Sequence, residues 1–132
     1  MRAAALLASA SGLLLAGCQG VPDGNDVSVF RPSYLGVETR LLEGDLVQFR
    51  TAMRGARDNQ DVIAYGDCAA AQYALIRGFG FARHVRTTVD RTGGIWRGDG
   101  VYTVSQSIPG GLRTIEAELA LSECEALGIP AV

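Results

Sequence analysis

Residues 57–80 read RDNQDVIAYGDCAAAQYALIRGFG and predict the one long helix of this chain. Apolar side chains recur there at spacings of three and four residues, which is the period of an amphipathic helix. An oxygen from the Asp-Asn pair at 58–59 or from Asp61 can cap its start, and Gly78 can end it. We therefore predict a helix over residues 60–77, whose many small residues would let it lie close to a sheet.

Two runs before the helix predict a β-hairpin. Residues 34–42 (YLGVETRLL) and residues 46–54 (LVQFRTAMR) both alternate between apolar and polar side chains. This period of two is typical of a strand with one buried face. The intervening Glu43-Gly44-Asp45 is a turn sequence, so the two runs are expected to pair in antiparallel fashion.

Two runs after the helix also predict strands. Residues 81–89 (FARHVRTTV) alternate, which puts Thr87 on one face with Phe81 and His84 on the other face. Residues 101–107 (VYTVSQS) predict a further strand. We therefore expect a second sheet-forming region on the carboxyl side of the helix.

The last run with a regular pattern is compatible with either a strand or a helix. Residues 114–121 (TIEAELAL) alternate strictly, which favours a strand, whereas Ala, Leu and Glu favour a helix. Strand is the preferred interpretation. The resulting order of strands, one helix and three strands predicts the α+β class, with one helix packed on an antiparallel sheet of about five strands.

The amino terminus has the pattern of a secretory signal. Arg2 precedes an apolar run of 14 residues over positions 3–16. At 1.5 Å per residue this run is about 21 Å long, which is too short to cross a bilayer core of about 30 Å. We therefore predict a cleaved signal peptide over residues 1–17.

The signal ends in Leu15-Ala16-Gly17-Cys18, which resembles the lipobox of bacterial lipoproteins. The resemblance implies cleavage between Gly17 and Cys18, and acyl chains on Cys18 that hold the protein on a membrane. It further implies a lipidated tether over residues 18–26 and a single domain over residues 27–132. Gln19 is not the aspartate associated with retention in the inner membrane, so an outer-membrane position facing the periplasm is expected if the source is Gram-negative.

Composition narrows the chemistry. The formal net charge of −2 becomes −3 once Arg2 is removed with the signal, so nothing in the overall charge suggests nucleic-acid binding. The chain has no lysine for a Schiff base, and a single histidine with three cysteines is little material for a metal site. We expect neither a metal nor a cofactor.

Two cysteines remain if Cys18 is lipidated. An exported chain meets an oxidising compartment, so Cys68 and Cys124 predict a disulfide, with two buried free thiols as the alternative. No Cys-X-X-Cys pair exists, which disfavours a redox role.

A basic segment is the candidate surface for contact with a partner. Four arginines lie within residues 81–97 against a single aspartate, and the glycine-rich stretch 90–100 presents the only tryptophan. Guanidinium groups recognise carboxylates and phosphates, and tryptophan and arginine are typical of binding hot spots. The alternatives are a solvated strand face and a tryptophan that covers the sheet edge. The predicted contact residues are Arg91, Trp96 and Arg97.

These observations favour a lipid-anchored binding or scaffolding module of the cell envelope, with an envelope protein or an anionic envelope component as partner. In its helix between two hairpins and in its Gly78–Phe81 segment, the chain also resembles small envelope lipoproteins. We assign no catalytic residue. The alternatives are an inhibitor or accessory subunit of an envelope complex, and a hydrolase that pairs His84 with Asp67 or Asp90. A pocket joining His84 to a nucleophile would favour the hydrolase.

Overall fold

The computed structural model describes Gly17 and residues 30–130. Residues 1–16 of the predicted signal, the predicted lipidation site Cys18 and the whole predicted tether over residues 18–26 lie outside these residues. Within them, none of the helices has the length and apolar character needed to cross a bilayer. The elements in chain order are β1 (Ser33–Leu41), β2 (Leu46–Arg54), α1 (Asn59–Ile76), β3 (Phe81–Thr92), β4 (Ile95–Ser105), β5 (Thr114–Glu116) and α2 (Ala117–Leu127).

The strands form one five-stranded sheet in the order β1-β2-β4-β3-β5, and every neighbouring pair is antiparallel. Two hairpins, β1–β2 and β3–β4, meet along the pairing of β2 with β4. Both described helices lie on one face of the sheet, and no described helix packs on the other face, which we call the open face. The α+β class and the five-stranded antiparallel sheet are confirmed.

Helix α1 begins and ends close to the predicted residues. The Asp58 carboxylate caps it by accepting hydrogen bonds from the backbone N–H groups of Gln60 and Asp61, at 2.9 and 3.3 Å. Gly78 follows its last turn with φ of 81°, a left-handed conformation that glycine adopts without strain. The small residues predicted to face the sheet are buried, namely Gly66, Ala69, Ala70, Ala71 and Ala74.

The core lies between α1 and the central strands β2 and β4. Phe49 and Tyr102 are fully buried there, with ring centroids 5.6 Å apart in an edge-to-face arrangement. A second buried group, formed by Met53, Val62 and Tyr65, fills the space towards the start of α1. These two groups hold α1 against the inner face of the sheet.

The preferred strand over residues 114–121 is wrong, because the strand stops after three residues and α2 follows. The Glu116 carboxylate caps α2 by accepting from the Leu119 N–H at 2.8 Å, and Gly128 ends the helix with φ of 72°. The residues least exposed on α2 follow a helical spacing, namely Ala117, Ala120, Leu121 and Cys124. Residues 30–130 therefore form two helices instead of the one predicted.

The glycine-rich stretch over residues 90–100 is not a loop. Strand β3 continues to Thr92 and β4 begins at Ile95, so only Gly93 and Gly94 form the turn. Both glycines have positive φ, as a two-residue hairpin turn requires. Trp96 consequently lies within a strand.

Strict alternation along β3 is also wrong. The register shifts between His84 and Arg86, so that Val85 is an extra, bulged residue. After the bulge Thr87 lies on the same face as His84, towards the helices. The bulge thus brings together two side chains that the sequence pattern assigns to opposite faces.

The predicted disulfide is confirmed. Cys68 on α1 is bonded to Cys124 on α2, and their Cα atoms are 6.0 Å apart. Both residues are buried. The bond therefore links the two helices.

Candidate functional site

A pocket of about 340 Å³ opens between α1, β3 and the segment that leads into β5. From α1 it receives residues 60, 63 and 67, which share one helix face because they are three and four residues apart. We call it the polar pocket. Its lining consists of Gln60, Ile63, Asp67, His84, Arg113, Thr114 and Ile115.

Asp67 is the partly buried acid of this pocket. Its Oδ1 accepts a hydrogen bond of 2.7 Å from the hydroxyl of Tyr102. Burial raises the pKa of the Asp67 carboxyl, while the Tyr102 hydrogen bond and the nearby His84 and Arg113 act in the lowering direction. The net result is a carboxyl whose pKa lies above its ordinary value and whose charge is costly to maintain.

Tyr102 reaches Asp67 through a space that two glycines leave open. A Cβ atom on Gly66 would lie 2.8 Å from the Tyr102 hydroxyl, and one on Gly100 would lie 2.8 Å from its ring atom Cε2. Burial and the neighbouring Asp67 both raise the pKa of Tyr102, so its hydroxyl stays protonated and donates. The glycines therefore allow a fully buried phenol to meet the acid.

The polar contacts continue from Tyr102 to the single histidine. Thr87 forms a hydrogen bond with Tyr102, and its Oγ1 lies 2.6 Å from Nε2 of His84. The rings of His84 and Tyr102 are also in contact, with centroids 5.1 Å apart. A continuous series of hydrogen bonds therefore connects His84, Thr87, Tyr102 and Asp67.

Arg113 completes the pocket from the side of β5. It has a φ of 65° and is the one non-glycine residue with positive φ among those described. Its carbonyl accepts a hydrogen bond of 3.2 Å from the His84 backbone N–H. Residues in this conformation are uncommon and tend to occur at functional sites.

In the hydrolase hypothesis, His84 pairs with Asp67 or Asp90. The structure puts His84 and Asp67 in one pocket, joined through Thr87 and Tyr102, whereas Asp90 lies six residues further along β3 on the open face. Thr87, Tyr102 and Arg113 also belong to this site, although the sequence did not indicate them. No local pattern marks them, because their proximity arises from strand pairing and from the bulge.

A second candidate region lies at the end of the sheet where β1 begins. Ser33, Arg54, Ile95 and Thr92 form one row across β1, β2, β4 and β3, so this end also carries the turn between β3 and β4. The Arg54 guanidinium comes within 3.6 Å of the position that a Cβ on Gly94 would take.

Four exposed arginines cluster at this end. The Arg31 backbone lies against Gly55, directly after β2, while Arg91 precedes the turn between β3 and β4 and Arg97 follows it. Among the described residues none of the four forms an ion pair within 4.0 Å. We call this region the basic end and define it by Arg31, Arg54, Arg91 and Arg97.

Trp96 is half-buried at the basic end. It pairs with Met53 across the sheet and packs against the second core group, and the Arg91 guanidinium lies 4.7 Å from its ring centroid. Arg91 lies on the helix-side face with Trp96, whereas Arg97 lies on the open face opposite Asp90. The proposed contact of Arg91, Trp96 and Arg97 with a partner stays a prediction.

Metal ligation has no candidate among the described residues, where no three His, Cys, Asp or Glu side chains come together. The only histidine is already hydrogen-bonded to Thr87.

These features define a small α+β domain with a disulfide between its two helices. The chain belongs to the YNQ4 C-terminal domain family, which matches residues 34–128, from β1 through the end of α2. It is 38% identical over 86 residues to an uncharacterized 26.9 kDa protein in the nqo8 5′ region of Paracoccus denitrificans. The match covers 65% of this chain and 34% of that protein, so the chain spans about a third of its relative's length. No solved structure matches the chain.

Proposed function

We propose that this chain is a lipid-anchored protein of the bacterial cell envelope whose basic end binds the anionic headgroups of its membrane. The proposal combines the lipobox-like residues 15–18 with the charge distribution of the domain. The single observation that carries it is the cluster of four arginines, without ion pairs among the described residues, at the end where the tether enters.

The geometry of the tether supports this arrangement. About 15 residues separate Cys18 from Ser33, and a tether of that length, taken as a random coil, would span roughly 20 Å. An acylated Cys18 would therefore keep the start of β1 near the membrane. Because β1 begins at the basic end, the arginines would be the side chains nearest the headgroups.

Electrostatic attraction between the arginines and the anionic headgroups would provide the affinity for the membrane. Each arginine close to an anionic leaflet contributes about 1 kcal/mol, and the attraction falls off within a Debye length. At the basic end Asp90 pairs across the sheet with Arg97 and Asp58 caps α1, so the four arginines still leave an excess of positive charge. Acyl chains and arginines would act together, as two membrane signals commonly do.

The test uses the only tryptophan as an internal probe. The acylated protein is incorporated into vesicles of zwitterionic lipid, with or without anionic lipid, that carry a headgroup quencher. We expect stronger quenching of Trp96 fluorescence in the anionic vesicles, and loss of the difference at high salt. Equal quenching in both vesicles would show that the basic end does not rest on the membrane.

Matched variants identify the responsible charges. Arg54→Gln combined with Arg97→Gln removes two charges at the basic end without changing Arg91, which contacts the Trp96 ring. Arg77→Gln combined with Arg83→Gln removes two charges at the opposite end. We expect only the first pair to reduce the quenching, and an equal effect of both pairs would contradict the proposal.

A hydrolase is the second candidate, favoured by the pocket that holds Asp67 and His84 together. The hydroxyl next to His84 belongs to Thr87, and it is also hydrogen-bonded to Tyr102. A hydrolytic activity on envelope material that is lost in His84→Gln but kept in Arg86→Gln would support this function. Retention of that activity in His84→Gln would exclude a catalytic imidazole.

A further inference from the structure

The polar pocket holds two opposite charges that are not bonded to each other. Asp67 and Arg113 both line it, and each is close enough for the arginine to act on the carboxyl electrostatically. Among the described residues, however, no ion pair within 4.0 Å joins Arg113 to any acid. The space between the two groups is open to a ligand.

The position of Arg113 is held by the surrounding structure. Its left-handed backbone is unfavourable for a side chain of this size, yet the His84 N–H bonds its carbonyl and Thr114 begins β5 directly after it. The strain is therefore maintained by two neighbouring elements, and it fixes where the guanidinium emerges. Strained backbone of this kind clusters at ligand sites and active sites.

The acid is equally well positioned. The Tyr102 hydroxyl binds Oδ1 and so holds the carboxylate in one orientation. A carboxylate accepts about four hydrogen bonds, so one from Tyr102 leaves capacity for a cationic donor. Ile63 and Ile115 supply apolar wall, and Gln60 supplies an amide.

From this arrangement we infer that the polar pocket binds a small zwitterion, such as a free α-amino acid, with its ammonium group at Asp67 and its carboxylate at Arg113. The volume of about 340 Å³ is at the small end of the range for ligand pockets. A carboxylate forms two parallel hydrogen bonds with a guanidinium, which gives the pocket an orientation. This inference concerns a different region from the basic end and does not rest on lipid anchoring.

The test is calorimetric titration of the full chain with alanine and glutamine. Propionate and ethylamine serve as matched half-ligands, because each lacks one of the two charged groups of alanine. We expect alanine or glutamine to bind at least about tenfold more tightly than either half-ligand. Absence of binding by both amino acids, or equal affinity for a half-ligand, would overturn the inference.

Two variants test whether Asp67 and Arg113 bind the two charged groups of the ligand. Asp67→Asn keeps an acceptor for Tyr102 and Arg113→Gln keeps a polar side chain, and each should weaken binding by about tenfold or more. Asp90→Asn and Arg86→Gln make the same changes on exposed parts of β3 and should leave affinity unchanged. Unchanged affinity in both pocket variants would show that the ligand lies elsewhere.

A measurement on the unmodified protein guards against variants that fail to fold. Amide chemical shifts are followed by NMR while alanine and glutamine are added. We expect the largest changes at residues 60–67 and 113–115. Changes confined to other parts of the chain would contradict a site in the polar pocket.

Discussion

At the scale of single residues, three glycines allow close contact between α1 and the sheet. Gly66 and Gly100 leave the space for Tyr102, and Gly98 leaves space beneath Val62 of α1. A Cβ atom on Gly98 would lie 2.6 Å from both Thr51 Oγ1 and Val62 Cγ1. Since protein interiors are close-packed, contacts this short force neighbouring groups to move.

We predict that Gly98→Ala lowers the free energy of unfolding by about 1–3 kcal/mol, the usual cost of overpacking. Urea denaturation followed by circular dichroism measures the change. Gly110→Ala is the matched control, because a Cβ there meets nothing within 4 Å and the residue does not need positive φ. Equal midpoints for the two variants would show that the sheet accommodates the methyl group at residue 98.

The raised pKa of the Asp67 carboxyl predicts that the stability of the fold depends on pH. Burial raises the pKa of its carboxyl above the unfolded value, so the folded state binds this proton more tightly. The stability that this preference provides is fully present below the ordinary aspartate pKa of about 3.9 and is lost as pH rises through the raised value. The ionised carboxyl therefore lowers stability at neutral pH.

We predict that Asp67→Asn is more stable than the original chain at pH 7, and that the difference shrinks as the pH falls below about 4. Urea denaturation at several pH values gives the comparison. Asp90→Asn removes the same charge from an exposed position and serves as the control. A pH-independent difference would mean that the substitution acts through packing or hydrogen bonding.

At the scale of elements, the sequence of α2 fits both the period of a strand and the period of a helix. Ile115, Ala117, Leu119 and Leu121 alternate as in a strand, yet Leu119 is 58% exposed and Ala117 is fully buried. The cap from Glu116, the stop at Gly128 and the bond from Cys124 to α1 all favour the helix. The residue types that favour a helix were the better guide here.

The disulfide joins α1 to α2 through two cysteines that are 56 residues apart in sequence. On the chain-entropy argument, closing such a loop stabilises the fold by about 4 kcal/mol. We predict that Cys68→Ala with Cys124→Ala loses stability up to this amount. The α2 amides should exchange hydrogen faster while those of β2 and β4 stay protected, because the central strands keep their pairing.

Urea midpoints and hydrogen exchange read by mass spectrometry test this prediction. The original chain with reductant is a useful control, since it should resemble the double variant. Uniform loss of protection across helices and sheet would instead show that α2 and the sheet unfold as one unit.

At the scale of the whole molecule, charge is distributed unevenly. The chain has a formal net charge of −2, yet four arginines gather at the basic end. Acidic residues prevail on α2 and its cap, namely Glu116, Glu118, Glu123 and Glu125. A molecule with this asymmetry would orient on an anionic surface with its basic end first.

The proposed lipid anchor gives a separate prediction for the whole molecule. We expect the mature protein to begin at Cys18, to carry acyl chains and to fractionate with membranes, since each buried CH₂ contributes about 0.8 kcal/mol. Intact-mass spectrometry detects both the cleavage and the added mass. Cys18→Ser should lose the acyl mass, whereas an unacylated original chain would contradict the anchor.

Sequence alone determined the local features of this protein. The helix between a capping Asp58 and Gly78, the hairpin around Gly44 and the pairing of the two cysteines all follow from side chains or from composition. Of the candidate site, sequence supplied the possibility that His84 and Asp67 work together. These inferences succeed because periodicity, capping and turn formation depend on residues a few positions apart.

Tertiary structure decided the rest. Tyr102 is 35 residues from Asp67, and Arg113 follows β4, so their meeting depends on how β4, β3 and β5 pair. A single bulged residue, Val85, decides that His84 and Thr87 face the same way. Pairing and bulges are selected by the packing of the whole core on α1, and a strand's own period of two contains no information about them.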